Sequence, residues 1–143
     1  MFSKTCEYAI RSSIYIGAQS TNGQRVSLSD VAQKIESPEA FTSKILQKLV
    51  KNKIIQSIKG PGGGFMVDPK MMEQIKLYQI IKVFEGDVLR RCSLGLNECS
   101  DTFPCPFHSR YKPVREKLKN IFEETTLNDM VKGLYDGNTF LKL

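Results

Sequence analysis

Apolar positions recur at helical spacing over most of the chain. Over residues 3–18, Ile10, Ile14 and Gly17-Ala18 form one stripe flanked by Tyr8 and Tyr15, which predicts a first helix. Asn22-Gly23 then gives a turn signal. Ser27-Leu28-Ser29-Asp30 has the pattern of a capping box, and Leu28, Val31 and Ile35 give the short helix after it one apolar face. Ser37-Pro38-Glu39 repeats the start signal as hydroxyl cap, proline at the first helical position and acid in the first turn. Phe41, Ile45 and Leu49 follow at i, i+4 and i+8, with Leu46 and Val50 widening the stripe. The opposite face is assigned Thr42, Ser43, Gln47, Lys48 and Lys51. Two short helices joined by a tight turn, the second polar and basic outside, form a helix-turn-helix pattern.

The period then changes. Ile54-Ile55-Gln56-Ser57-Ile58 is brief and β-branched, Lys59-Gly60-Pro61-Gly62-Gly63-Gly64 must turn, and Phe65-Met66-Val67 reads as the returning strand. A hairpin directly after a reading-type helix is a wing, and its glycines let backbone amides approach a phosphate closely. It is not a nucleotide-binding loop, because the Lys-Ser/Thr pair that should follow the glycines is missing. Leu77, Ile80, Ile81 and Phe84 mark another amphipathic helix, stopped by Gly86. Further on, Phe107, Tyr111, Val114, Leu118 and Ile121 are spaced 4-3-4-3, a seam suited to packing along another helix, with Pro113 either starting the helix or kinking it. Thr126-Leu127-Asn128-Asp129 caps a last short helix, and the tail from Tyr135 is expected to be loosely held. The expected fold is mainly α with a small β-hairpin wing: a winged helix-turn-helix plus a long C-terminal helix for dimerisation. We divide the chain into a winged helix-turn-helix region at 1–86, a cysteine-rich loop at 87–108, and a dimerisation helix with the C-terminal helix at 109–143, within one compact domain.

Charge adds a partner to this outline. The chain of 143 residues is 41% hydrophobic, carries a formal charge of +6 and has a pI near 9.2, which suits a globular protein with a polyanionic partner. From Ala40 through Val67 there are five lysines (Lys44, Lys48, Lys51, Lys53, Lys59) and no acid. A solvated helix face usually mixes signs, so a one-sign stretch over a reading helix and its wing is the footprint of phosphate contact. The expected partner is double-stranded DNA. Base contacts are assigned to Pro38, Glu39, Thr42, Ser43 and Lys44, and backbone contacts to Lys48, Lys51, Lys59 and the wing glycines Gly60, Gly62 and Gly63. No apolar run approaches the ~18 residues of a membrane span and the N-terminus lacks a signal-peptide core, so a cytoplasmic location without membrane contact is expected. One histidine, no convergent acid pair and no nucleophile motif argue against an enzyme.

The remaining chemistry is concentrated in Cys92-x6-Cys99-x5-Cys105-x2-His108, which holds three of the four cysteines and the sole histidine. Thiolate and imidazole are the ligands that iron–sulfur clusters and zinc prefer, and Gly95, Asn97, Ser100, Asp101, Pro104 and Pro106 keep regular structure out of the loop. In a reducing compartment, clustered cysteines favour metal or redox chemistry over disulfides. The fourth cysteine, Cys6, reads as a small buried hydrophobe. The competing readings are a winged-helix regulator with a structural zinc or no metal, sensing another signal, and a cluster-bearing electron-transfer protein, and the lysines and wing argue against the second.

These motifs together resemble the Rrf-two family of bacterial winged-helix transcription regulators, and the resemblance covers nearly the whole chain. Ser3-Lys4-Thr5-Cys6-Glu7-Tyr8-Ala9-Ile10-Arg11 is similar to the family's opening helix and Lys59-Gly60-Pro61-Gly62-Gly63-Gly64-Phe65 to its wing. Leu77-Tyr78-Gln79-Ile80-Ile81, Phe84-Glu85-Gly86, the three loop cysteines and Thr126-Leu127 fit the segments that follow. The resemblance implies a homodimer whose long C-terminal helices cross, a pseudo-palindromic operator, and usually repression. It also implies a redox-sensing iron–sulfur cluster, 2Fe–2S ahead of 4Fe–4S, held by Cys92, Cys99 and Cys105 and modulating operator affinity. His108, three after Cys105, is the expected fourth ligand, with Glu7 from the first helix as its rival.

Overall fold

The computed structural model describes residues 1–141. Helix α1 (Lys4–Thr21) is the central strut, against which α2 (Leu28–Ile35), α3 (Glu39–Lys51), α4 (Leu77–Glu85) and α6 (Leu127–Tyr135) all pack. Ser3 caps α1, its hydroxyl accepting from the Cys6 amide, and its own N–H and O–H both donate to Glu85 of α4. Gly17 lets α6 come close: a Cβ there would stand 2.9 Å from Val131 Cγ2. Ile16, Ile45, Leu46, Leu49, Ile55, Met72 and Leu127 are fully buried around this strut. A second cluster of Cys6, Ile81, Leu89 and Phe122 lies under α5 (His108–Glu124).

Both predicted capping boxes form: Ser27 with Asp30 on α2 and Thr126 with Asp129 on α6. The start of α3 differs from expectation. Ser37 does not cap it, and Pro38 is the N-cap, with extended dihedrals (φ −56°, ψ 138°). The residue before a proline is pushed out of the α region, so the helix cannot begin earlier. The connection from α2 turns at Glu36, whose φ of 55° is left-handed.

Strands β1 (Gln56–Ile58) and β2 (Gly64–Met66) pair antiparallel, Ser57 opposite Phe65. They are shorter than the sequence pattern suggests, because Ile54 and Ile55 turn into the core. Val26 extends the hairpin to a third edge by exchanging backbone hydrogen bonds with Phe65 at 2.7 and 3.1 Å. Helix α5 runs through Pro113. The carbonyl this leaves without its helical donor belongs to Ser109, which is exposed to water. In the tail, the amides of Asn138 and Thr139 donate to the Gly133 carbonyl, and Thr139 covers that glycine, while residues 135–140 are exposed. Among the described residues, no helix is long and apolar enough to cross a membrane.

Candidate functional site

The basic surface is built on α3 and the hairpin. Pro38, Glu39, Lys44, Lys48, Lys51 and Lys59 are exposed, and Ser43 is half-buried. Thr42 departs from its expected place. It is fully buried, and both its amide and its hydroxyl donate to the Pro38 carbonyl, at 2.9 and 3.0 Å. It supports the first turn of α3 from inside and offers nothing to a groove. The Lys48 ammonium rests over the Phe84 ring of α4, 4.8 Å from its centre.

The wing turn closes by the Gly63 amide donating to the Gly60 carbonyl at 2.9 Å, with Gly60 and Gly62 at φ 89° and 71°. Gly63 is needed for a different reason: an added Cβ would run into the carbonyl oxygens of Ile58 and Gly60. Arg25, which the sequence reading passed over, donates from Nη1 to the Gly62 carbonyl at 3.0 Å and so ties the wing tip back to the strand edge. Its position one residue before the apolar Val26 was the available signal.

The cysteine loop begins after a short helical turn, Val88–Arg90, and is otherwise irregular up to α5. Its donors settle into two pairs. Cys92 and Cys105 sulfurs lie 3.7 Å apart, Cys92 buried and Cys105 half-buried. Cys99 Sγ lies 3.2 Å from His108 Nδ1, and His108 Nε2 is 2.9 Å from Asp101 Oδ1. Lys112 Nζ donates to both Asp101 oxygens, at 2.6 and 2.7 Å, and its hydrogen bond, ahead of that from His108, keeps the Asp101 carboxyl below the usual carboxylate range. The Leu94 amide lowers the pKa of the Cys92 thiol, outweighing burial, with smaller help from Leu96, Cys105 and the Arg115 charge.

Arg115 was also missed. It is only 5% exposed, reaches Cys99 as well as Glu116 (3.0 Å), and leaves Nε and Nη1 without a partner. Burial opposes its charge, yet Glu116 and Cys99 together raise its pKa above the ordinary value. A spacing of seven puts His108, Arg115 and Phe122 on one face of α5, and all three are buried. That periodicity was legible and points Arg115 at the cysteine loop. Arg90 and Arg91, adjacent to Cys92 in sequence, are exposed instead.

This arrangement corrects the expected cofactor. Among the described residues, no group of three or more His, Cys, Asp or Glu side chains is arranged to hold a metal ion. Both ring nitrogens of His108 are already engaged, and Glu7 pairs with Lys4 at 2.8 Å. Cys92, Cys99, Cys105 and His108, with or without Glu7, therefore do not form the predicted iron–sulfur site, either 2Fe–2S or 4Fe–4S. The same finding removes the zinc alternative.

Comparison with known proteins is consistent along the chain. The profile of the Rrf2 (Rrf-two) family, described as iron-dependent transcriptional regulators, matches residues 2–133. A protein of Aquifex aeolicus, named for a helix-turn-helix transcriptional regulator, is 28% identical over 135 residues, covering 92% of this chain and 91% of that one. The solved structure of CymR (YrzC), titled the global cysteine regulator of B. subtilis, superposes with a TM-score of 0.76 at 21% identity over 92% of this chain and 96% of that chain. T. potens IscR superposes with a TM-score of 0.73 at 21% identity over 99% of this chain and 93% of that chain. At these identities the structural likeness concerns the fold.

Proposed function

The chain belongs to the Rrf2 family of transcriptional regulators, and from that premise we propose that it binds double-stranded DNA as a homodimer and represses transcription from pseudo-palindromic operators. The observation that carries the reading is the one-sign surface: Lys44, Lys48 and Lys51 on the outer side of α3, continued by Lys59 on the wing, with every one of them exposed. In a helix-turn-helix the first turns of the second helix enter the major groove. That role falls to Pro38, Glu39, Ser43 and Lys44. Lys48, Lys51, Lys59 and the turn amides around Gly60, Gly62 and Gly63 take the phosphates.

Helix α5 supports the dimer reading. Its buried stripe, His108–Arg115–Phe122, faces its own subunit. One residue earlier, 100° around the helix, Phe107, Val114 and Ile121 are 43%, 56% and 46% exposed, with Tyr111 and Leu118 half-buried beside them. A second copy of α5 covers such a stripe by the same seam packing that its 4-3-4-3 spacing favours. Two reading helices related by a two-fold axis select half-sites about one helical turn apart, ~10 base pairs.

Selection of full-length protein on a random duplex library tests both parts. The expected product is a pseudo-palindrome with that spacing. Leu118→Glu places a charge in the seam, should sediment as a monomer, and should lose the preference for paired half-sites. Recovery of isolated half-sites by the unaltered protein would contradict the dimer. An intact Leu118→Glu dimer would contradict the α5 seam.

A further inference from the structure

We propose that Cys92 and Cys105 form an oxidisable dithiol, a modification site whose substrate is a hydroperoxide and whose product is an intrachain disulfide. All four cysteines are free thiols, and these two alone have their sulfurs in contact, at 3.7 Å, among the described residues. A disulfide needs a separation of about 2.05 Å, so the two sulfurs must close by under ~2 Å. The segment between them can follow. Ser93 to Glu98 is exposed throughout, and Gly95 already turns through φ 77°.

The two sulfurs differ in access, which divides the roles. Cys105 is half-buried and faces arriving oxidant, whereas Cys92 is 6% exposed and shielded from it. Cys105 attacks the peroxide O–O bond through sulfur, gaining one oxygen as a sulfenic acid while the other oxygen leaves as water or alcohol. Cys92 then attacks the Cys105 sulfur, the S–O bond breaks, and the hydroxide leaves as water with the Cys92 proton. Two electrons pass from the sulfurs to the peroxide, and each hydrogen peroxide yields two waters.

Arg115 gives the pocket its second feature. A buried guanidinium with two N–H groups unpartnered is costly unless something anionic faces it. Its charge favours the Cys92 thiolate, the form that attacks the Cys105 sulfur in the second step, and negative charge then passes to the departing hydroxide. Cys99 is held apart from this pair by His108 at 3.2 Å, so it is not the resolving thiol.

The test uses reduced full-length protein treated with one equivalent of hydrogen peroxide, then alkylated under denaturing conditions. Four alkylated thiols before treatment should fall to two after it. Glu98 and Asp101 lie between the three loop cysteines, so combined cleavage there and at Arg91 and Arg110 isolates each one. A linked Cys92–Cys105 peptide pair is the expected product. Cys99→Ser and Cys6→Ser should keep the two-thiol loss, whereas Cys92→Ser and Cys105→Ser should abolish it. Pairing through Cys99, a crosslink between chains, or four thiols surviving the peroxide would each overturn the proposal. The readout is independent of DNA, so its failure and that of the regulator reading are separable.

Discussion

Thr42 shows what a single residue can hide. Its hydroxyl assigns it to the polar face, yet it stands at i−4 from Leu46 and i−7 from Leu49, and all three are fully buried. Position decided, and the hydroxyl was satisfied locally on the Pro38 carbonyl. The residue-scale prediction is that Thr42→Val, which keeps the volume and loses that bond, costs about 1 kcal/mol in urea unfolding. DNA affinity should stay within about twofold. A tenfold loss of affinity at unchanged stability would return Thr42 to the reading face. Cys6, in contrast, was read correctly from residue type. It is fully buried, and burial pushes its thiol up to about 12. The loop donors lay between these cases. Their identities were plain in the sequence, but nothing in the spacing said that His108 would spend both nitrogens on Cys99 and Asp101.

At the scale of elements, periodicity and punctuation carried most of the fold. The helices α1, α2, α3, α4 and α6 fall where apolar spacing and caps put them, and Gly86 ends α4 at φ 65° as expected. Boundaries failed where two signals competed, as at Ser37-Pro38, and where apolar β-branched residues served the core, as at Ile54-Ile55. The wing is the element most dependent on backbone geometry. Gly63→Ala should force the turn open against the Ile58 and Gly60 carbonyls, costing about 1–3 kcal/mol locally. The expected result is DNA affinity weaker by about tenfold, roughly 1.4 kcal/mol. Sedimentation should be unchanged, since α5 is untouched. Unaltered affinity would mean that the wing does not meet the DNA in this conformation.

For the whole molecule, the sequence carried the architecture because each level agreed with the next: caps, stripes, turn residues and charge sign all described one winged fold. It did not carry the arrangement of the cysteine loop, which is set by contacts from Asp101, Lys112 and Arg115 rather than by ligand spacing. The central claim is that α3 and the wing form one phosphate-facing surface, and counterion release reports that surface directly. The decisive measurement is the binding constant of full-length protein on duplex DNA as salt rises from about 50 to 200 mM. Affinity should fall steeply and linearly on logarithmic axes. Replacing Lys51 and Lys59 together with alanine should reduce the slope by about two units, one per lost phosphate contact. A slope that the double replacement leaves unchanged, or no salt-dependent binding at all, would contradict the account.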